Sequence, residues 1–228
     1  MTEYLARKDQ KLSEHLFGVA KLASEFASVF GVSNTAYTTG LLHDLGKYTL
    51  AFQEYLQRSL RGENVVRGEV IHALQGAKFV AEKIKDSVIS DIIGNVITTH
   101  HGGLFDNITE GERTLSSKTN KGEEKLHFEE AIKAFNPIIN EMELKTEILN
   151  FCRKIQEYRL SPSFMFHLLT KVIYSCLVDA DRCDAAKLTI SDGIPDWGNL
   201  INLLEKYLTS FHDDTNIDKV RKNISNQC

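Results

Sequence analysis

A histidine and an aspartate side by side at the end of an apolar run offer an imidazole nitrogen and a carboxylate oxygen from one backbone position. This donor pair suits borderline divalent cations. The chain carries such a pair in Leu41-Leu42-His43-Asp44-Leu45-Gly46-Lys47. Asp44 is the more versatile partner, because a carboxylate can bridge two ions and an imidazole cannot. Gly46 breaks the helix just beyond. Where helical geometry persists, Lys47 stands three and four residues on from the pair, where its ammonium meets an anionic oxygen.

Other histidines fall on apolar stripes. His15 lies three after Leu12 and four before Val19, and His100 lies three after Ile97 and seven after Ile93, so both point inward. With His43, His72 and His101 they make five histidines, expected on four separate helices and accompanied by Asp44. Burying that many titratable rings without a shared partner is costly, so a shared cation is the chemistry they imply. Of the eight histidines, His127, His167 and His212 read as ordinary. Late in the chain, Asp179 and Asp181 both continue apolar rows. Two residues apart on a helix they point to nearly opposite sides, so only one can reach a common site.

The elements that must position these groups are helical, and the spacing predicts an all-α fold. Ser13 precedes a stripe of Leu16, Val19, Leu22, Ala23 and Phe26 closed by Gly31. Ser33 and Thr49 are candidate caps for the next two helices. A fourth helix is expected over about 69–85. Ser87 then caps a helix whose Ile89, Ile92, Ile93, Val96 and Ile97 form a buried face ending in His100-His101-Gly102-Gly103. Ser161-Pro162 starts a long helix reaching about Cys183, and two amphipathic segments follow. No convincing strand is read. The polar stretch 102–125 leaves directly from His100-His101, which suits a lid or substrate-guiding loop.

At 228 residues, 42% hydrophobic and with 3 Pro, the chain is long enough for one large domain over 1–228. Its expected core is about 10–185, with C-terminal helices over about 195–225. Disordered, collagenous and membrane classes are disfavoured. The formal net charge of −4 leaves no global basic field to hold nucleic acid, so polyanion binding would need a local patch or metal ions. The segment MTEYLARKDQ lacks the apolar core of a signal peptide, and His167 and Lys171 interrupt the most apolar stretch. The four cysteines form no CxxC pair. These features predict a cytoplasmic protein with free thiols and no membrane association.

The ordered set of His15, His43-Asp44, His72, His100-His101 and a late aspartate in LVDADR resembles the HD superfamily of metal-dependent phosphohydrolases. More specifically, HDLGKYTLAFQEYL, HALQGAKFVAEK, ITTHHGGL and LVDADRCDA are similar to the HD nuclease of the CRISPR-associated nuclease/helicase of type I interference. The likeness runs from about His15 to Asp184. No Walker A motif is present and there is no room for a helicase, so the chain resembles the stand-alone HD form or an excised domain.

The resemblance implies a compact multi-helix HD-domain bundle with a dinuclear metal centre. His15, His43, Asp44 and the late aspartate would hold one ion; Asp44, His72, His100 and His101 would hold the other. It favours Asp181 as the late ligand, leaving Asp179 as a cap or ion-pair partner and Asp184 as a solvated terminus. The mixed ligands suit Mn²⁺, Ni²⁺, Co²⁺, Fe²⁺ or Zn²⁺ better than Mg²⁺. The catalytic roles fall to Asp44 and Lys47. The implied function is manganese-type, metal-dependent endonuclease cleavage of single-stranded DNA, with single-stranded RNA and exonucleolytic trimming as extensions. The implied partners are a separate superfamily 2 helicase subunit and the CRISPR surveillance complex, in antiviral defence. Arg58, Arg61, Arg67, Lys118, Lys121 and Lys125 are candidates for a rim that tracks a strand, and Tyr48 and Phe105 for base stacking. The competing readings are an HD phosphohydrolase acting on nucleotides or cyclic dinucleotides, and a non-catalytic docking module.

Overall fold

In a computed structural model of the chain, the described residues are 3–66, 68–102, 104, 126–188, 196–210 and 215–225. Arg67, Phe105, Lys118, Lys121, Lys125, His212, Cys228 and nearly all of the 102–125 stretch lie outside them. The chain divides into two compact units, Met1–Leu188 and Thr189–Cys228.

The all-α expectation holds, with one small exception. The first unit begins with a two-stranded antiparallel hairpin, β1 (Leu5–Arg7) and β2 (Gln10–Lys11). Strands of three and two residues are too short for alternation to be read from sequence. Helices α1 (Leu12–Ala27), α2 (Ser33–Leu42), α3 (Leu50–Leu60), α4 (Leu74–Lys83) and α5 (Ser87–Thr99) follow. Then come α6 (Phe128–Ala134), α7 (Glu141–Ile155) and the long α8 (Pro162–Ala186). A 3₁₀ turn over Leu45–Tyr48 joins α2 to α3. The second unit contains α9 (Trp197–Thr209) and α10 (Asn216–Ser225).

Helix α1 packs against α2 and α8, and α5 against α4 and α8. The shared core includes Leu16, Val19, Leu42, Ile93, Ile97, Ile173 and Leu177. Helix α8 is long and apolar enough by composition to cross a bilayer, a length criterion that the sequence reading did not expect it to meet. Leu169, Ile173, Leu177 and Ala180 are nevertheless buried against its neighbours, which makes it a core helix.

The caps show where local signals hold. Thr49 accepts a hydrogen bond from the Phe52 amide and Ser161 from the Phe164 amide, as the sequence predicts. Ser13, Ser33 and Ser87 do not cap. β2 runs straight into α1 at Leu12, Val32 precedes α2, and Asp86 caps α5 by accepting from the Val88 and Ile89 amides. The fourth helix starts at Leu74 rather than near 69, leaving His72 in the connection before it. Cys152, Cys176 and Cys183 are free thiols.

Candidate metal centre

Helix ends supply most of the site. His43 is the C-terminal cap of α2 and His100 that of α5, where the last carbonyls of a helix lack intrahelical donors. Each imidazole fills that role: His43 Nδ1–H donates to the Gly40 carbonyl at 2.7 Å and His100 Nδ1–H to the Ile97 carbonyl at 2.6 Å. His72, in the connection before α4, places Nδ1 3.3 Å from the Val70 carbonyl. With the proton fixed on Nδ1, each Nε2 keeps its lone pair and aims it inward. The expectation of five histidines on four helices is therefore corrected. His15 sits within a helix, and the others sit at helix ends or in connections.

Asp44 lies between these rings. Its Oδ2 is 3.3 Å from both His15 Nε2 and His43 Nε2, and Asp181 Oδ1 is 3.5 Å from the same His15 nitrogen. Its Oδ1 instead faces His72 Nε2 and His100 Nε2, each at 3.7 Å. His72 Nε2 and His101 Nε2 approach to 2.9 Å, so the two rings either share a proton or converge on one cation. The five imidazoles form a continuous run of ring contacts in the order His15, His43, His100, His101, His72.

Four buried atoms here have no hydrogen-bond partner: His15 Nε2, His43 Nε2, Asp44 Oδ1 and His100 Nε2. Each such atom costs about 1–3 kcal/mol when left unmade, and four aimed at one place are accounted for if a cation completes them. Two overlapping donor groups meet the reach of a single ion, His15-His43-Asp44 and Asp44-His100-His101, with Asp44 common to both. The residues fit divalent metal.

Electrostatics agree. Burial alone would push the Asp44 carboxyl up, but the Lys47 ammonium holds it well below the usual carboxylate range. Lys47 Nζ is 2.7 Å from Asp44 Oδ2, three residues on along the 3₁₀ turn. Burial lowers His72, with Lys47 and His100 adding to the effect. His101, exposed along one edge, is desolvated along the other and pushed down to about 4, with His100 contributing next. Both stay neutral and able to ligate at ordinary pH.

Backbone contacts lock the two halves together. The Gly46 amide donates to the His72 carbonyl at 3.2 Å. A Cβ at Gly46 would lie 2.5 Å from that carbonyl oxygen, so glycine allows the approach. Gln53 donates to the carbonyls of Leu5 and Lys47 and accepts from the Leu5 amide, tying β1 to the 3₁₀ turn.

All seven expected ligands and Lys47 therefore gather at one place. Asp181 reaches the site while Asp179 is exposed. Other expectations change. Asp184 is not a solvated terminus: its side chain is 13% exposed and its Oδ2 lies 2.7 Å from His15 Nδ1. No local signal marks a contact spanning that much sequence. Tyr48 is buried, stacked on Phe135 and edge-on to Tyr4, and so is not a base platform. Arg58 pairs with Glu63 and Glu69, and Arg61 with Glu63, which neutralises the described arginines of the expected rim. His127 and His167 are exposed and outside the site.

No curated protein matches the chain. The HD domain family model matches residues 12–186, which spans α1 through α8 and every residue of the centre. With most of its length covered and the histidines and aspartates gathered around Asp44, the chain belongs to the HD domain family of metal-dependent hydrolases.

Proposed function

We propose that the protein is a metal-dependent nuclease that cleaves single-stranded DNA, and single-stranded RNA as a second substrate, in type I CRISPR interference. The observation that carries the hydrolytic part is the division of Asp44, with Oδ2 toward His15 and His43, the two rings that Asp181 also approaches, and Oδ1 toward His72 and His100. This division supports two ion positions sharing one carboxylate. Nitrogen-rich ligation favours Mn²⁺, Ni²⁺, Co²⁺, Fe²⁺ or Zn²⁺ over Mg²⁺. Bound there, such ions supply Lewis acidity toward a phosphodiester and lower the pKa of water. The chain's own residues do the rest. The Nδ1 anchors orient the imidazoles, Lys47 keeps Asp44 ionised and sets a positive charge beside the position of a phosphate oxygen, and the exposed side of His101 admits the strand.

The choice of nucleic acid rests on the local wording HDLGKYTLAFQ, ITTHHGGL and LVDADR, as do a cytoplasmic setting and work beside a separate superfamily 2 helicase and the surveillance complex. The pairing of Arg58 and Arg61 with glutamates favours a second reading, a phosphohydrolase of nucleotides or cyclic dinucleotides, because it removes free cations from one flank. A competition separates them: the protein is incubated with Mn²⁺ and labelled single strands or a nucleotide panel. Strand cleavage is expected, and consumption of nucleotides alone would overturn the nuclease reading. His43→Ala and Asp44→Ala should each lower turnover by more than about 100-fold, since removing merely an outer partner of a ligand already costs up to that much.

A further inference from the structure

His43, His72 and His100 anchor Nδ1 on backbone carbonyls that lie at helix ends or in a connection. His15 cannot do this. It sits four residues into α1, where the preceding carbonyls accept from the helix's own amides. Its Nδ1 instead faces a carboxylate and a guanidinium: Asp184 Oδ2, from the last turn of α8, at 2.7 Å, and Arg7 Nη2 at 3.0 Å. A carboxylate accepts, and it is the closer of the two groups, so the contact places the proton on Nδ1 and leaves the Nε2 lone pair on the side of Asp44 and Asp181, available to a cation. The same Asp184 oxygen accepts from Gln10 Nε2 at 2.9 Å and lies 3.7 Å from Arg7 Nη2. The hairpin therefore holds the same carboxylate oxygen that meets His15. Helix α1 makes room for it as well, since a side chain at Gly18 would collide with Asp184 Oδ1.

We infer that Asp184 is a positioning residue of the metal centre, which fixes the tautomer and orientation of His15 and is itself aimed by Gln10 and Arg7. It lies behind the ring and touches neither the ion positions nor the substrate edge. The inference rests on the reading of the site as a metal-dependent hydrolase centre, and it places an outer carboxylate–imidazole pair on one side of Asp44.

Titration of the metal-free protein with Mn²⁺, followed by calorimetry, tests it. In Asp184→Ala the affinity should fall by about 10- to 100-fold. Asp184→Asn keeps an oxygen that accepts from Nδ1–H, so it should recover part of that loss. Asp184→Asn also carries the test if the alanine variant does not fold. Nitrogen-15 NMR of the metal-free protein should show His15 protonated on Nδ1 in the wild type and shifted toward the Nε2 tautomer in the alanine variant. Wild-type affinity in a folded alanine variant, or a wild-type His15 protonated on Nε2, would overturn the inference. If the wild type bound no Mn²⁺, the hydrolase reading would fail, and the tautomer measurement would still decide the role of Asp184.

Discussion

His72 and His101 resist protonation because burial disfavours a charged ring and their neighbours already carry positive or partly positive nitrogen. Their folded values lie below the ordinary 6.5, so the unfolded chain binds protons more readily than the folded one as pH falls. The stability contributed by these neutral rings is present above 6.5 and is lost as pH drops from 6.5 toward about 4, the value of His101. Asp44 follows the same sign in a window below 3.8. Urea midpoints of the chelated protein should therefore fall between pH 7.5 and pH 5; an unchanged midpoint would refute this electrostatic reading. The ligands themselves are legible in the sequence, because inward histidines on apolar stripes and an adjacent His-Asp pair are local patterns. That only one of Asp179 and Asp181 can serve was legible because residues two apart on a helix diverge, while the preference for Asp181 came from the family resemblance. Asp184 could not be found this way, since its bond to His15 joins the two ends of the first unit through tertiary packing.

Helix termini are the devices that hold the ligands, and the close seam between the α2–α3 turn and the connection before α4 sets the two halves of the site against each other. Gly46→Ala forces a Cβ against the His72 carbonyl and Gln75. Overpacking of this kind costs about 1–3 kcal/mol, and here the connection carrying His72 must give way. Lower Mn²⁺ affinity together with a lower melting temperature is expected, and calorimetry with thermal melts checks both; wild-type values for both would show that the seam does not matter. Thr49 and Ser161 were readable caps because a hydroxyl before a helical run is a local signal. The start of α1 was not, because the hairpin rather than Ser13 delivers the chain into it, and the true start of α4 was hidden by the irregular backbone around His72.

For the whole molecule, 3.6-residue periodicity made the all-α architecture legible, since helices of the first unit such as α1, α5 and α8 bury their apolar stripes in a common core. The sites of closest approach were not legible, because they depend on glycines facing backbone from distant segments. Orphaned buried nitrogens and an orphaned carboxylate oxygen mean that the folded first unit binds metal and the unfolded chain lacks the site. At free Mn²⁺ about 100 times the dissociation constant, linkage adds about 2.7 kcal/mol, or about 5–10 °C in melting temperature for a chain of this size. Chelator should reverse the shift, and a melting temperature indifferent to both would exclude a built metal centre. The hairpin has a practical consequence. Its turn, Lys8 and Asp9, is exposed, and the residues on either side, Arg7 and Gln10, both reach Asp184. An environment-sensitive dye on that turn becomes a loading gauge for a centre it never touches, and a protease that clips the turn becomes a switch that parts the two grips.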